Sequence, residues 1–184
     1  IVAMDGKALR RARTKGQSLK YVVSAWAESN NLVLGQMKVA DKSNEITAIP
    51  ELLRVLELSG CIVTIDAMGC QKKIAKEIIE SDADYVLALK GNQETVHEEV
   101  KTFLDAAIKG FENGQKSGMT KPELIALKQT MQQTETVDGD HGRIETRRYY
   151  QSQDLKWFAD RVQWEGLSSV GVVESTREID GEKT

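Results

Sequence analysis

Asp5 follows the apolar run Ile1-Val2-Ala3-Met4, and Asp66 follows Cys61-Ile62-Val63-Thr64-Ile65. Each run reads as a buried strand, which predicts each aspartate at a strand's C-terminal end. In an open α/β sheet that edge is where ligands bind. Two carboxylates on neighbouring strands offer oxygen ligands to a hard divalent cation. Burial of one carboxylate beside the other would raise a pKa, and a bound cation would remove that penalty. Taken singly, each residue has a structural reading. Asp5 before Gly6 is common turn chemistry, and Asp66 after a strand is a common helix cap. It is the pair that points to a metal.

Basic residues crowd the chain just after the first aspartate. Lys7, Arg10, Arg11, Arg13, Lys15 and Lys20 occur with no acid before Glu28. A solvated basic loop is the plain reading of such a run, but its place beside Asp5 favours a loop that contacts phosphate. The net charge of −3 does not advertise a polyanionic partner, yet a whole-chain sum hides local fields. Lys90 and Asn92 follow the apolar run Tyr85–Leu89. Lys90 is a candidate phosphate contact, and Asn92 a candidate cap whose helix N-terminus could receive phosphate. Arg143, Arg147 and Arg148 are further candidates on a later strand, against the plain reading of a solvated strand face. His97 and His141 lack a third patterned ligand, which argues against a histidine metal site. Trp26, Trp157 and Trp164 read as packing residues.

The elements that must position these groups follow from periodicity. A chain of 184 residues, 40% hydrophobic and 29% charged, can bury a core and reads as one globular domain with room for an insertion. No apolar run approaches the roughly 20 residues that span a bilayer, and the N-terminus lacks the pattern of a secretion signal. Cys61 and Cys70 fit no zinc spacing and read as reduced thiols of a cytoplasmic protein. After the first strand, residues 6–18 read as loop. Leu19–Ala27 and Leu32–Val39 read as a hairpin around Ser29-Asn30-Asn31. A helix capped by Thr47 takes Pro50 in its first turn, buries Leu52, Leu53, Leu56 and Leu58, and ends at Gly60. Cys61–Ile65 is a strand, and Gln71–Glu80 a helix with Ile74, Ala75, Ile78 and Ile79 inward. Tyr85–Leu89 is a fully apolar strand. The next helix aligns Val96, Val100, Phe103, Leu104 and Ala107 on one face.

The resulting order, β-β-β-α-β-α-β-α, predicts an α/β fold with a mixed sheet and helices on its faces. Beyond residue 109 the texture changes. Gly110–Pro122 reads as loop and Glu123–Met131 as a short helix or a strand start. Thr134–Val137, Arg143–Ser152 and Ser168–Thr176 read as strands. The predicted division is a core over 1–109 and a β-rich insertion over 110–184. The chain opens inside a strand and stops at Asp180-Gly181-Glu182-Lys183-Thr184, a turn with no second strand after it. These ends read as those of a piece of a longer protein.

Six fragments in register carry a resemblance. They are Met4-Asp5-Gly6-Lys7, Lys42-Ser43-Asn44-Glu45-Ile46-Thr47-Ala48-Ile49-Pro50, Ile65-Asp66-Ala67-Met68-Gly69-Cys70-Gln71, Ala88-Leu89-Lys90-Gly91-Asn92-Gln93, His141-Gly142-Arg143-Ile144-Glu145-Thr146-Arg147, and Val173-Glu174-Ser175-Thr176-Arg177. Together they resemble bacterial insertion-sequence transposases of the H-repeat-associated type. The resemblance implies a DDE transposase with a ribonuclease H-like core, a fold in which the first and fourth strands are adjacent and parallel. It implies three carboxylates holding two Mg²⁺ (or Mn²⁺) ions, with Asp5 matching the first and Asp66 the second. It also implies double-stranded DNA as partner, at element ends and target, with Lys7, Arg10, Arg11, Arg13, Lys15, Lys90, Asn92, Arg143 and Arg147 as contacts. A homodimer in the full-length protein and a bacterial cytoplasmic location, at the nucleoid when bound to DNA, complete the expectation. The family's third carboxylate lies on a late helix in a string resembling H-W-G-I-E-N, which is absent here. Glu145 alternates with its neighbours at strand spacing, and Glu174 is a weaker candidate still. The chain is therefore expected to stop before the third ligand and to be inactive alone. The rival readings are a non-catalytic DNA-binding or assembly module of a decayed element, and a ribonuclease H-like nuclease acting on another substrate.

Overall fold

A computed structural model describes residues 1–8, 21–39, 45–140, 143–179 and 182–183. The chain forms two compact units, Ile1–His97 with Asp160–Gly166, and Glu98–Ala159 with Leu167–Thr184.

The first unit is a mixed five-stranded sheet. Its strands are β1 (Val2–Ala8), β2 (Tyr21–Ala27), β3 (Leu32–Val39), β4 (Ile62–Ile65) and β5 (Asp84–Leu87), in spatial order β3-β2-β1-β4-β5. The hairpin pairs antiparallel, while β1 with β4 and β4 with β5 pair parallel. Parallel neighbours need a crossover, and the helices α1 (Glu45–Val55) and α2 (Lys72–Glu80) supply it. Period-two alternation sends Val2 and Met4, Val23 and Ala25, and Val63 and Ile65 to one face, where they form a core with Ile49, Leu52, Leu53, Ile74 and Ile78 of the two helices. Asn31 takes the left-handed conformation in the β2–β3 turn, a conformation asparagine tolerates.

Several boundaries differ from expectation. β1 does not end at Met4 but continues through Ala8, because β2 pairs with it along its whole length. Pro50 lies inside α1 rather than in its first turn. Proline there frees the carbonyl of Ile46, which is exposed and can be hydrated. α1 ends at Val55, so Leu58 is buried beyond the helix rather than on it. β5 is a sheet edge, and its burial alternates: Tyr85 and Leu87 join the core while Val86 faces out. The segment Asp160–Gly166 is anchored in this unit. Tyr85 Oη donates to the Glu165 carbonyl at 2.9 Å, Trp164 is buried, and a Cβ on Gly166 (φ +70°) would lie 2.4 Å from Ile79 Cδ1.

The second unit is a sheet of β6 (Met131–Asp140), β7 (Arg143–Ser152), β8 (Val170–Ile179) and β9 (Glu182–Lys183), with α3 (Glu94–Asn113) and α4 (Lys121–Thr130). Ala107 and Ile108 of α3, Leu127 of α4, Met131 and Tyr150 form its core. Val100, Leu104 and Ala107 share the buried face of α3 as their spacing predicts, with Val96 and Phe103 half-buried. The expected loop over Gly110–Pro122 is largely helical. α3 runs on to Asn113, a 3-10 turn spans Gly114–Ser117, and α4 begins at Lys121. The Glu123 carboxylate accepts from Thr120 N and Oγ1, both at 2.7 Å, and so fixes the start of α4.

Candidate metal centre at the sheet edge

The parallel ladder between β1 and β4 pairs Val2 with Val63, Ala3 with Thr64 and Met4 with Ile65. One step further in the same register, Asp5 stands abreast of Asp66. Neighbouring strands lie about 4.8 Å apart, close enough for two carboxylates to share a cation. Asp5 is mid-strand in β1, but it sits where the β1–β4 ladder ends, so the pair does occupy the C-terminal edge of β4. By alternation Asp5 falls on the sheet face opposite Met4 and the core. Both aspartates are exposed rather than buried. The penalty expected from burying two carboxylates together therefore does not arise.

Local bonding pre-sets the site. Asp66 Oδ1 accepts from the Met68 N–H at 3.1 Å and caps the 3-10 turn Ala67–Gly69. The capping reading of Asp66 and the ligand reading are thus compatible, since the second carboxylate oxygen has no printed role in the cap. Gly69 is required by packing: a Cβ there would lie 2.2 Å from Ile65 Cγ2. Lys7 Nζ sits 3.4 Å from Asp5 Oδ2 as an exposed pair, weak enough for a divalent cation to displace.

The loop after β5 is tied to the loop after β4. Asn92 Nδ2 donates to the Ala67 carbonyl at 2.6 Å, and Gln93 Nε2 to the Cys70 carbonyl at 3.1 Å. Asn92 makes no helix cap. It lies inside the 3-10 turn Gly91–Gln93, whose cap position is Lys90, and its amide braces the turn behind Asp66. This positioning role was not visible in the spacing of the residues, because it depends on two loops meeting. Lys90 is exposed in the same loop. Cys70, buried just beyond, has its thiol pushed up to about 11 by burial, which makes it inert as a nucleophile and fits a reduced interior thiol.

Other candidates lie elsewhere or outside the described residues. Arg10, Arg11, Arg13 and Lys15 belong to the segment not described. Arg143 and Arg147 are in the second unit on β7. They bracket Glu145, whose two oxygens accept from Arg143 Nη2 and Arg147 Nη2 at 2.7 Å each, with Ser175 Oγ at 3.2 Å. Arg143 above all, with Ser175 and Arg147, holds the Glu145 carboxyl below the usual range. Arg148 faces the other way and pairs with Glu135 at 2.6 Å. Glu145 is thus committed to arginines. Among the described residues no group of three or more His, Cys, Asp or Glu could hold a metal ion. Two carboxylates at one edge fit part of a divalent-cation site and leave it short of ligands.

This arrangement meets its counterpart in known proteins. The chain belongs to the transposase DDE domain family, whose model matches residues 1–162. A protein encoded in the dhlA 3′ region of Xanthobacter autotrophicus is 39% identical over 183 residues, covering 98% of this chain and 56% of that protein. YncI of Escherichia coli O157:H7, which bears a transposase name, is 38% identical over 187 residues, 100% of this chain and 44% of its own. The H repeat-associated YhhI of Escherichia coli K12 is 48% identical over 95 residues, 50% of this chain and 25% of that protein. The chain spans about half the length of the first two relatives.

Proposed function

We propose that this chain is the catalytic region of a DNA transposase, with a ribonuclease H-like core in which Asp5 and Asp66 hold divalent magnesium or manganese. The observation that carries the reading is the parallel β1–β4 register, which brings the two family-matched aspartates abreast at one edge of the sheet. When bound, such ions supply Lewis acidity for phosphodiester cleavage and strand transfer. The chain's own residues do the rest. Asp5 and Asp66 present oxygen ligands, the Met68 N–H and the Asn92 bond to Ala67 fix the orientation of the Asp66 turn, and Lys7 and Lys90 supply positive charge for the DNA backbone. Lys7 is released for that purpose when a cation takes over Asp5.

The partner is duplex DNA at the ends of a mobile element and at its target, read by a homodimer of a longer parent protein in the bacterial cytoplasm. Arg143 and Arg147, with the basic run Arg10, Arg11, Arg13 and Lys15, are its proposed backbone contacts. Asn92 belongs with the positioning residues instead. Two carboxylates are one short of the family's set, so the third ligand lies outside these 184 residues and the chain alone is inactive. No helix among the described residues is long and apolar enough to cross a membrane, in keeping with a DNA partner.

The test is metal-dependent cleavage of terminal DNA by the full-length parent. Asp66→Asn keeps the oxygen that accepts from Met68 N while removing the charge. It should cut cleavage by more than the roughly 10–100-fold that losing an outer partner of a metal ligand costs, with the melting temperature unchanged. Cleavage by the 184-residue chain alone would refute the claim of a missing ligand. DNA binding indifferent to both aspartates, with no cleavage by the parent, would favour an assembly module.

A further inference from the structure

The sheet of the first unit has two faces, and α1 and α2 cover one of them. On the other, the printed registers join into a single row across all five strands: Val33 opposite Trp26, Trp26 opposite Ala3, Ala3 opposite Thr64, and Thr64 opposite Val86. The row contains no charge. Val33 is 51% exposed, Trp26 39% and Val86 61%. Beside it Ile62 is 41% exposed and Ile1 54%. Single exposed apolar residues need no explanation, but a contiguous apolar surface spanning a whole sheet marks an interface.

We infer that this face is the docking surface for a second helical layer, formed by segments of the same polypeptide outside these 184 residues. Three observations choose that occupant. The β1-β4-β5 half of the sheet is parallel, and parallel sheets are covered by helices on both faces. Four strand spacings give a width of about 19 Å, room for two helices packed about 9 Å apart, the same number that covers the first face. The chain also makes up only 56% and 44% of the two relatives that it matches nearly end to end, so comparable lengths of polypeptide accompany this region in them. The inference rests on the proposed longer parent but not on the metal site. The covering helices should present aliphatic residues at spacings of three and four toward Trp26, Val33 and Val86.

The test compares thiol labelling of Val33→Cys and Val86→Cys in the 184-residue chain and in the full-length parent, with modified sites mapped by mass spectrometry. Val137→Cys, on the exposed β6 of the second unit, is the control. The account expects at least tenfold slower labelling of both positions in the monomeric parent and no such change at Val137. Equal labelling in both proteins would overturn it. Protection that appears only with rising concentration and dimer mass would assign the face to a second copy and overturn it as well. Hydroxyl-radical oxidation of Trp26 in the unsubstituted proteins gives the same comparison without a variant: the ring should be oxidised in the short chain and spared in the parent. Because none of these readouts depends on cleavage, an inactive parent that still protects the face would sink the catalytic reading alone.

Discussion

Asp66 shows how one side chain can serve structure and chemistry together. One oxygen caps a 3-10 turn through Met68 N, and the cap fixes where the other oxygen can reach. The turn is held from behind by Asn92, whose amide bonds the Ala67 carbonyl. Asn92→Ala removes that brace without touching either aspartate. Since partners that orient metal ligands are worth about 10–100-fold, the variant should bind Mn²⁺ about tenfold more weakly in the parent protein, with Asn92→Asp unable to rescue it because an aspartate offers the carbonyl no donor. Titration by electron paramagnetic resonance reads this directly, and unchanged affinity would remove Asn92 from the site. Glu145 makes the opposite point. Its place in a distinctive string suggested a ligand, but two arginines and a serine occupy its oxygens, and sequence spacing alone identified it only as a strand residue.

At the scale of elements, packing sets what tolerates change. The β4 strand and the turn after it meet so closely that a Cβ on Gly69 would overlap Ile65. Gly69→Ala should therefore destabilise the first unit by about 1–3 kcal/mol, the usual toll of overpacking. Urea denaturation followed at Trp164 would measure it, and an unchanged midpoint would show that the turn has room to relax. In the second unit Tyr150 is buried, with its hydroxyl on the Glu112 carboxylate. Burial, reinforced by that bond and by the charge of Glu112, pushes Tyr150 up to about 12 from 10. A raised pKa means the folded state favours the protonated phenol. The contribution is complete below pH 10 and is lost as pH rises through 12. Tyr150→Phe should flatten the stability profile between about pH 10 and 12, and an identical slope in both proteins would contradict this origin.

Most of the element order was legible, because hydrophobic periodicity of two and of three to four residues distinguishes half-buried strands from amphipathic helices. The places where it failed have physical causes. β1 appeared to stop at Asp5 because Asp5 and Lys7 lie on its outer face, so a paired strand looked like a polar loop. Gly110 appeared to end a helix, yet it continues inside α3 because Met119 and Leu127 pack against its bare Cα. The bracing by Asn92 and Gln93 was hidden altogether, since it joins loops more than twenty residues apart in sequence.

At the scale of the whole molecule, one half of a layered fold is present together with two of the carboxylates that its family uses. The aspartate pair and the bare apolar face lie on the same side of the same sheet, adjacent rows apart, so what completes the fold and what completes the site belong to one region. Cation binding at Asp5 and Asp66 is the central claim, and anomalous scattering from crystals of the full-length parent soaked in Mn²⁺ tests it most directly. The account predicts a manganese peak shared by the Asp5 and Asp66 carboxylates, lost in Asp66→Asn. A peak held by other residues, or carboxylates that turn apart while the cation is present at saturating concentration, would contradict it.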